Sequence, residues 1–284
     1  GWQRTLEFAH EAFEQGARLH PMFTTNKLEL HLKLVDTFVF DEMPTWREVL
    51  TSSDRMQLLA KRDVRERMRA EFDDPKSRAV AFEWSGLEVE AVADDAHAGW
   101  VGRSVAEIAA ERSADPLDTF LDLSLEEALE TQFQTRMDDV ATQFIEHVVR
   151  TSVADPIVMP GSSDGGAHLA SFVGADYTTR LLTDWVPEPL SLEQAIWRNT
   201  QMPATVHGIT DRGVLREGAA ADVLLIDRDA LSAGSSHLRR DFPAETERYV
   251  VDAEGYRSVI VNGEVMMQDG AHTGALPGAV LKGG

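Results

Sequence analysis

Apolar residues recur at helical spacing at the start of the chain, at Trp2, Leu6, Ala9, Phe13 and Ala17, and Gly16 is placed to end that helix. A strand over Ala17–Phe23 follows directly, so helix, glycine and strand form an αβ unit of the kind that builds parallel sheets. Pro44, with a Thr45/Glu48 capping box, predicts one helix, and Asp63 is placed to cap another carrying Val64, Met68 and Phe72. Val80, Phe82 and Trp84 alternate, as do Leu87, Val89 and Ala91 after Ser85-Gly86, which predicts a β-hairpin over 80–92. Ser104 and Glu107 form a further capping box, and Asp115-Pro116 is a helix start with proline at the first helical position. Met137, Val140, Phe144 and Val148 line one helical face. That helix leads through Asp155-Pro156 into the apolar strand Ile157-Val158-Met159, a second αβ unit.

Helices are predicted next over about 177–185 and 192–198. From Gly213 the texture changes to short strands with turn signals: 213–215, 222–227, 249–252 and 258–261, with Asn262-Gly263 and Asp269-Gly270 as turns. The Ser-rich, acidic stretch 227–247 reads as a long loop. A domain boundary is expected around 205–213, giving domains 1–208 and 209–284, with a helical insertion over about 27–150. A fold that opens with a helix feeding a strand is expected to lack its first strands.

The strand Ile157–Met159 runs into Pro160-Gly161-Ser162-Ser163-Asp164-Gly165-Gly166-Ala167-His168. This places one carboxylate among three glycines just past a strand's C-terminal end, where barrel enzymes keep their chemistry. Glycines remove bulk, so backbone and ligand can approach closely. A tight turn with a capping aspartate accounts for the same pattern equally well. His168, four residues on, is expected to brace the loop by hydrogen bonding. Ser163 or Ser162 could be a nucleophile, but no Gly-x-Ser-x-Gly surrounds them.

The chain has 284 residues, enough for one large domain or two ordinary ones. Its 27 Lys and Arg against 48 Asp and Glu give a formal charge of −21, which disfavours nucleic acid and anionic membranes as partners. Cysteine is absent, which excludes disulfides, thiol nucleophiles and thiolate metal ligands within this chain. No apolar run approaches membrane-spanning length and no leader opens the chain, so a cytoplasmic protein is expected. The basic run Lys61–Arg69 is interleaved with acids and reads as a solvated helix face rather than an anion site. Arg180 and Arg198 could clamp a carboxylate, although surface ion pairs are the stronger reading. Nine histidines are present, but no His-x-His or His-Glu-x-x-His occurs. His10, His20 and His147 read as structural, and the others lack partner spacing.

The Pro160–His168 run, together with Gly213-Val214-Leu215-Arg216-Glu217-Gly218-Ala219-Ala220-Ala221-Asp222-Val223, resembles the amidohydrolase superfamily, and more narrowly its D-aminoacylase (N-acyl-D-amino-acid deacylase) branch. Val259–Gly263, Gly274–Gly278 and the segment Trp2–Arg69 extend the resemblance over nearly the whole chain. It implies an α/β fold: part of a (β/α)8, TIM-like barrel of a metal-dependent hydrolase, with a small C-terminal β-sandwich and without the N-terminal half. It implies hydrolysis of a non-peptide C–N amide bond of an N-acyl amino acid or related small molecule. Asp164 maps onto the family's general base for a zinc-bound water and is the one metal contact assignable here, with His168 and Ser163 in support. The remaining zinc ligands of the family precede the matching region. The alternative is a non-catalytic or complementing half-barrel subunit that lacks its own ligands, working as a homo-oligomer or with a complementing chain.

Overall fold

The computed structural model describes residues 1–25, 29–78, 80, 82–161, 163 and 167–281. In chain order the helices and strands begin with α1 (Trp2–Glu14), β1 (Met22–Phe23), β2 (His31–Leu32), α2 (Pro44–Thr51), α3 (Arg55–Leu59) and α4 (Arg62–Phe72). There follow β3 (Leu87–Ala91), α5 (Val105–Arg112), α6 (Pro116–Glu126), β4 (Gln132–Thr135), α7 (Asp139–Ala154) and β5 (Met159–Pro160). The rest comprises α8 (Tyr177–Asp184), α9 (Leu192–Asn199), α10 (Gln201–Val206), β6 (Val223–Ile226), β7 (Ser232–Arg240), β8 (Glu247–Glu254), β9 (Tyr256–Val261), β10 (Glu264–Gln268) and β11 (Ala271–His272). The fold is α/β and separates into two compact units. No helix among the described residues is long and apolar enough to cross a membrane.

One unit comprises Gly1–Leu28, Gln143–Leu169 and Val173–Gly284. Gly16, at φ +88°, ends α1 as its position predicts. Of the expected strand 17–23 only Met22–Phe23 pairs, in parallel with β5, with Met22 opposite Met159 and Phe23 opposite Pro160. The Met159 and Gly161 N–H groups donate to the Pro21 and Phe23 carbonyls, each at 2.9 Å. Pro160 falls between those two donors, so its missing N–H costs this ladder nothing. Asp155 organises the entry to β5, its carboxylate accepting the Ile157 N–H at 3.1 Å. Val149, Val153, Leu181, Trp185, Leu190 and Ala195 form the buried core of this unit. The Trp185 indole donates to the Thr25 carbonyl at 2.9 Å, and the Thr25 hydroxyl donates to the Tyr177 carbonyl at 2.7 Å.

β11, β10, β9 and β6 form an antiparallel sheet in that order. Both predicted turns are present: Asn262 and Gly263 have φ of 50° and 82°, and Asp269 and Gly270 have 46° and 81°, the left-handed pairs that two-residue hairpins require. Two expectations fail here. Residues 213–215 make no strand but a turn around Gly213 at φ +85°. The expected loop 227–247 contains β7, paired antiparallel with β8. Nearly all of β7 is exposed, so burial imposed no apolar alternation on its sequence.

The other unit comprises Glu29–Thr142 with Ala170–Phe172. Its antiparallel sheet has the order β2, β4, β3. The hairpin expected over 80–92 is not formed. Trp84–Gly86 is a 3₁₀ turn, and β3 pairs instead with β4, Val89 standing opposite Phe133. The core is aromatic: Phe40 stacks on Trp46 at 4.2 Å between ring centroids, and Phe120 packs on Phe133 at 4.8 Å. The Trp46 indole donates to the Met68 carbonyl at 2.9 Å, which meets the one polar atom of the buried ring.

The Ser104/Glu107 capping box is formed, and Asp115 caps α6 through the Leu117 and Asp118 N–H groups. Thr45 makes no box with Glu48; its N–H and hydroxyl both donate to the Glu71 carboxylate. Lys61, not Asp63, occupies the cap position of α4. Lys61, Arg62, Asp63, Glu66 and Arg67 of the basic run are exposed, as a solvated face requires, but Arg65 and Arg69 turn toward α6. Arg65 pairs with Asp118 and Asp122 at 3.2 and 2.6 Å, and Arg69 pairs with Asp115 and Asp118 at 2.9 and 2.8 Å, which ties α4 to α6.

Candidate functional site

β5 delivers the chain at Gly161 into the aspartate-bearing run. Asp164, together with Ser162, Gly165 and Gly166, lies outside the described residues. Its neighbours Gly161, Ser163 and Ala167 line a groove of about 490 Å³. The opposite lining comes from the start of α8 at Tyr177 and Thr178, the end of α9 at Arg198 and Asn199, and His207 after α10. The described members of the stretch therefore border a concave surface lined also by a phenol, an amide, an imidazole and a guanidinium side chain.

Gly174 passes close to the backbone of Ser163. A Cβ on Gly174 would stand 2.2 Å from the Ser163 carbonyl oxygen, so only glycine admits the loop at this point. Gly174→Ala is expected to destabilise the unit by about 1–3 kcal/mol, as overpacking against backbone does. Thermal unfolding should show the loss, and an unchanged midpoint would count against this close approach. His168 is exposed and sits at φ +53°, and the next residue, Leu169, accepts the Tyr249 N–H at 2.8 Å. The hairpin β7–β8 is thereby tied to the end of the run.

Five other histidines have structural partners. His10 pairs with Asp155 at 2.7 Å, His20 donates to the Ile157 carbonyl at 2.9 Å, and His147 packs edge-on against Trp2. His31, fully buried on β2, bonds Glu90 at 2.8 Å, and His97 stacks on Trp100 while bonding Glu127 at 3.0 Å. Among the described residues no group of three or more His, Cys, Asp or Glu side chains could hold a metal ion. The residues described here do not fit a metal centre by themselves.

The two arginines diverge. Arg180 is a surface ion-pair residue, as expected, bonded to Asp176 at 2.9 Å. Arg198 is no surface residue. It is 4% exposed and donates to the Val158 carbonyl at 2.5 Å and the Asp155 carbonyl at 2.8 Å. Burial lowers its pKa from the usual value, with the Asp155 charge opposing. The sequence showed Arg198 as a possible anion clamp but gave no sign that it braces the strand feeding the run. Asn199, Tyr177 and His207 carried no signal at all, since only the fold gathers them.

The model of the Amidohydrolase family matches residues 73–267, more than half of the chain. The chain belongs to this family. An uncharacterized protein of Mycobacterium tuberculosis is 31% identical over 208 residues, covering 70% of this chain and 33% of that protein. The D-aminoacylase of Alcaligenes xylosoxydans xylosoxydans is 36% identical over 90 residues, 32% of this chain and 17% of that enzyme. The chain thus spans about a third or less of the length of the curated relatives it matches. The crystal structure of an N-acyl-D-glutamate deacylase from Bordetella bronchiseptica, complexed with zinc and a phosphonate inhibitor, is similar at a TM-score of 0.48 and 23% identity. That likeness covers 94% of this chain and 44% of the other.

Proposed function

We propose that this amidohydrolase-family chain forms part of an enzyme that hydrolyses the amide C–N bond of an N-acyl-D-amino acid, with Asp164 as general base. The observation that carries this reading is the run after β5: Gly161, Ser163 and Ala167, its described members before and after Asp164 in sequence, line the groove. Family membership and the D-aminoacylase relative support the reaction class. In this reading β1 and β5 are neighbouring strands of a (β/α)8 barrel, residues 1–208 belong to that barrel with an insertion over about 27–150, and 209–284 form the small β-sandwich.

The chemistry asks little of the chain beyond one well-placed carboxylate. Asp164 takes a proton from the attacking water as its oxygen bonds to the amide carbonyl carbon. It then returns that proton to the nitrogen as the C–N bond breaks, leaving a carboxylic acid and an amine. Ser163 and His168 support the loop. The zinc expected of such an enzyme would take its ligands mostly from residues outside this chain, with Asp164 as this chain's own contact.

The test is hydrolysis of N-acetyl-D-amino acids and their L-enantiomers by the protein purified from its source. Amine release from the D series at least about tenfold faster, abolished by a chelator and restored by zinc, is the expected result. A preference for the L series, or no hydrolysis of either, rejects the reading.

A further inference from the structure

The segment that feeds the run is held from two edges. On one, the Met159 and Gly161 N–H groups donate to the Pro21 and Phe23 carbonyls on the β1 side. Strand alternation turns the Val158 carbonyl to the opposite edge. There it accepts from one terminal nitrogen of Arg198, whose other terminal nitrogen donates to the Asp155 carbonyl. Arg198 lies buried in the last turn of α9. One planar fork thus meets two carbonyls three residues apart, a geometry that the single ammonium of a lysine does not reproduce.

Packing alone does not call for an arginine here. A buried guanidinium is costly to desolvate, and these hydrogen bonds run to main-chain carbonyls rather than to a carboxylate. An apolar side chain would fill the same space at lower cost. What the guanidinium adds is direction, because it sets the height and rotation of Asp155–Val158 against the end of α9. From Val158 the chain reaches Asp164 in six residues. Those residues include Pro160, whose ring fixes φ, and Gly161, whose N–H is bonded on the β1 side. A shift at Val158 is therefore passed to the residues that lead into the run.

We propose that Arg198 is a positioning residue: by gripping the Asp155 and Val158 carbonyls it sets where β5 delivers Asp164, and so how well that carboxylate meets the attacking water and the leaving nitrogen. It acts through the main chain and not on the substrate. The inference rests on the hydrolase reading, in which Asp164 is the general base.

Steady-state hydrolysis of an N-acetyl-D-amino acid by the parent protein, Arg198→Lys and Arg198→Ala tests it. Arg198→Lys keeps the charge but not the fork, and is expected to lower kcat by about tenfold to a hundredfold with KM within about twofold of the parent. Guanidinium ion at a non-denaturing concentration should restore part of kcat to Arg198→Ala and none to Asp164→Asn, whose missing group it cannot replace. If one of the two Arg198 variants does not fold, the other decides. An unchanged kcat in Arg198→Lys, a loss carried by KM, or a folded Arg198→Ala that guanidinium does not rescue overturns the proposal. Failure of both variants to fold would make Arg198 a purely structural residue and overturn it as well. A hydrolysing parent matched by Arg198→Lys would overturn this inference alone, whereas a parent without hydrolysis would overturn the hydrolase reading and this inference with it.

Discussion

Asp164→Asn is expected to lower turnover of an N-acyl-D-amino acid by about a thousandfold, within the range that general acid–base groups contribute, while the chain folds as before. Asparagine keeps the shape and hydrogen-bonding reach of the side chain but cannot take a proton from water or return one to the leaving nitrogen. The effect should fall on kcat, because the proton is shared in the transition state and not in the bound substrate. Ser163→Ala discriminates the mechanism. If the Ser163 hydroxyl were the nucleophile, its loss would match that of Asp164→Asn; in the base mechanism it costs about tenfold at most. Turnover by Asp164→Asn within about tenfold of the parent, with an unchanged unfolding midpoint, would remove Asp164 from the chemistry and leave the run a capped turn.

What could be read from the sequence was governed by local rules. The Ser104/Glu107 box, the Asp115-Pro116 start, the Asn262-Gly263 and Asp269-Gly270 turns and the glycine stop at Gly16 all depend on residues within a few positions of one another. The failures share the opposite property. Leu87–Ala91 does lie in a strand, but its partner is Gln132–Thr135, about forty residues on, and no local pattern specifies that choice. β7 was missed because an exposed strand needs no apolar alternation. Thr45 prefers Glu71 to Glu48 because α4 brings that carboxylate to its N–H. The candidate site divides the same way. The Asp164 run is contiguous and legible, whereas Arg198, Asn199 and His207 join it only because α9 and α10 fold back beside β5.

Glu127→Ala is expected to destabilise the unit containing it by about 3 kcal/mol or more. Its carboxylate is fully buried and follows the C-terminal end of α6, where the helix dipole disfavours negative charge. It is held there by donors: the Ala93 and Asp94 N–H groups at 3.0 Å each, His97 Nδ1 at 3.0 Å and the Thr131 hydroxyl at 3.1 Å. Burial alone would raise its pKa, but the hydrogen bonds from Asp94, His97, Ala93 and Thr131 together outweigh it and hold the carboxyl below its usual value. Alanine would leave those donors facing one another over a cavity, and the turn Asp95–Trp100 would lose its tie to α6. Because the folded pKa lies below the unfolded value of about 4.3, the stabilisation is complete above that pH and is lost as pH falls through the folded pKa. The stability gap between the parent and Glu127→Gln should therefore be widest near neutral pH and should narrow in acid. Denaturant unfolding at pH 7 and near pH 3 checks this; an equal gap at both would mean that the site contributes through packing rather than charge.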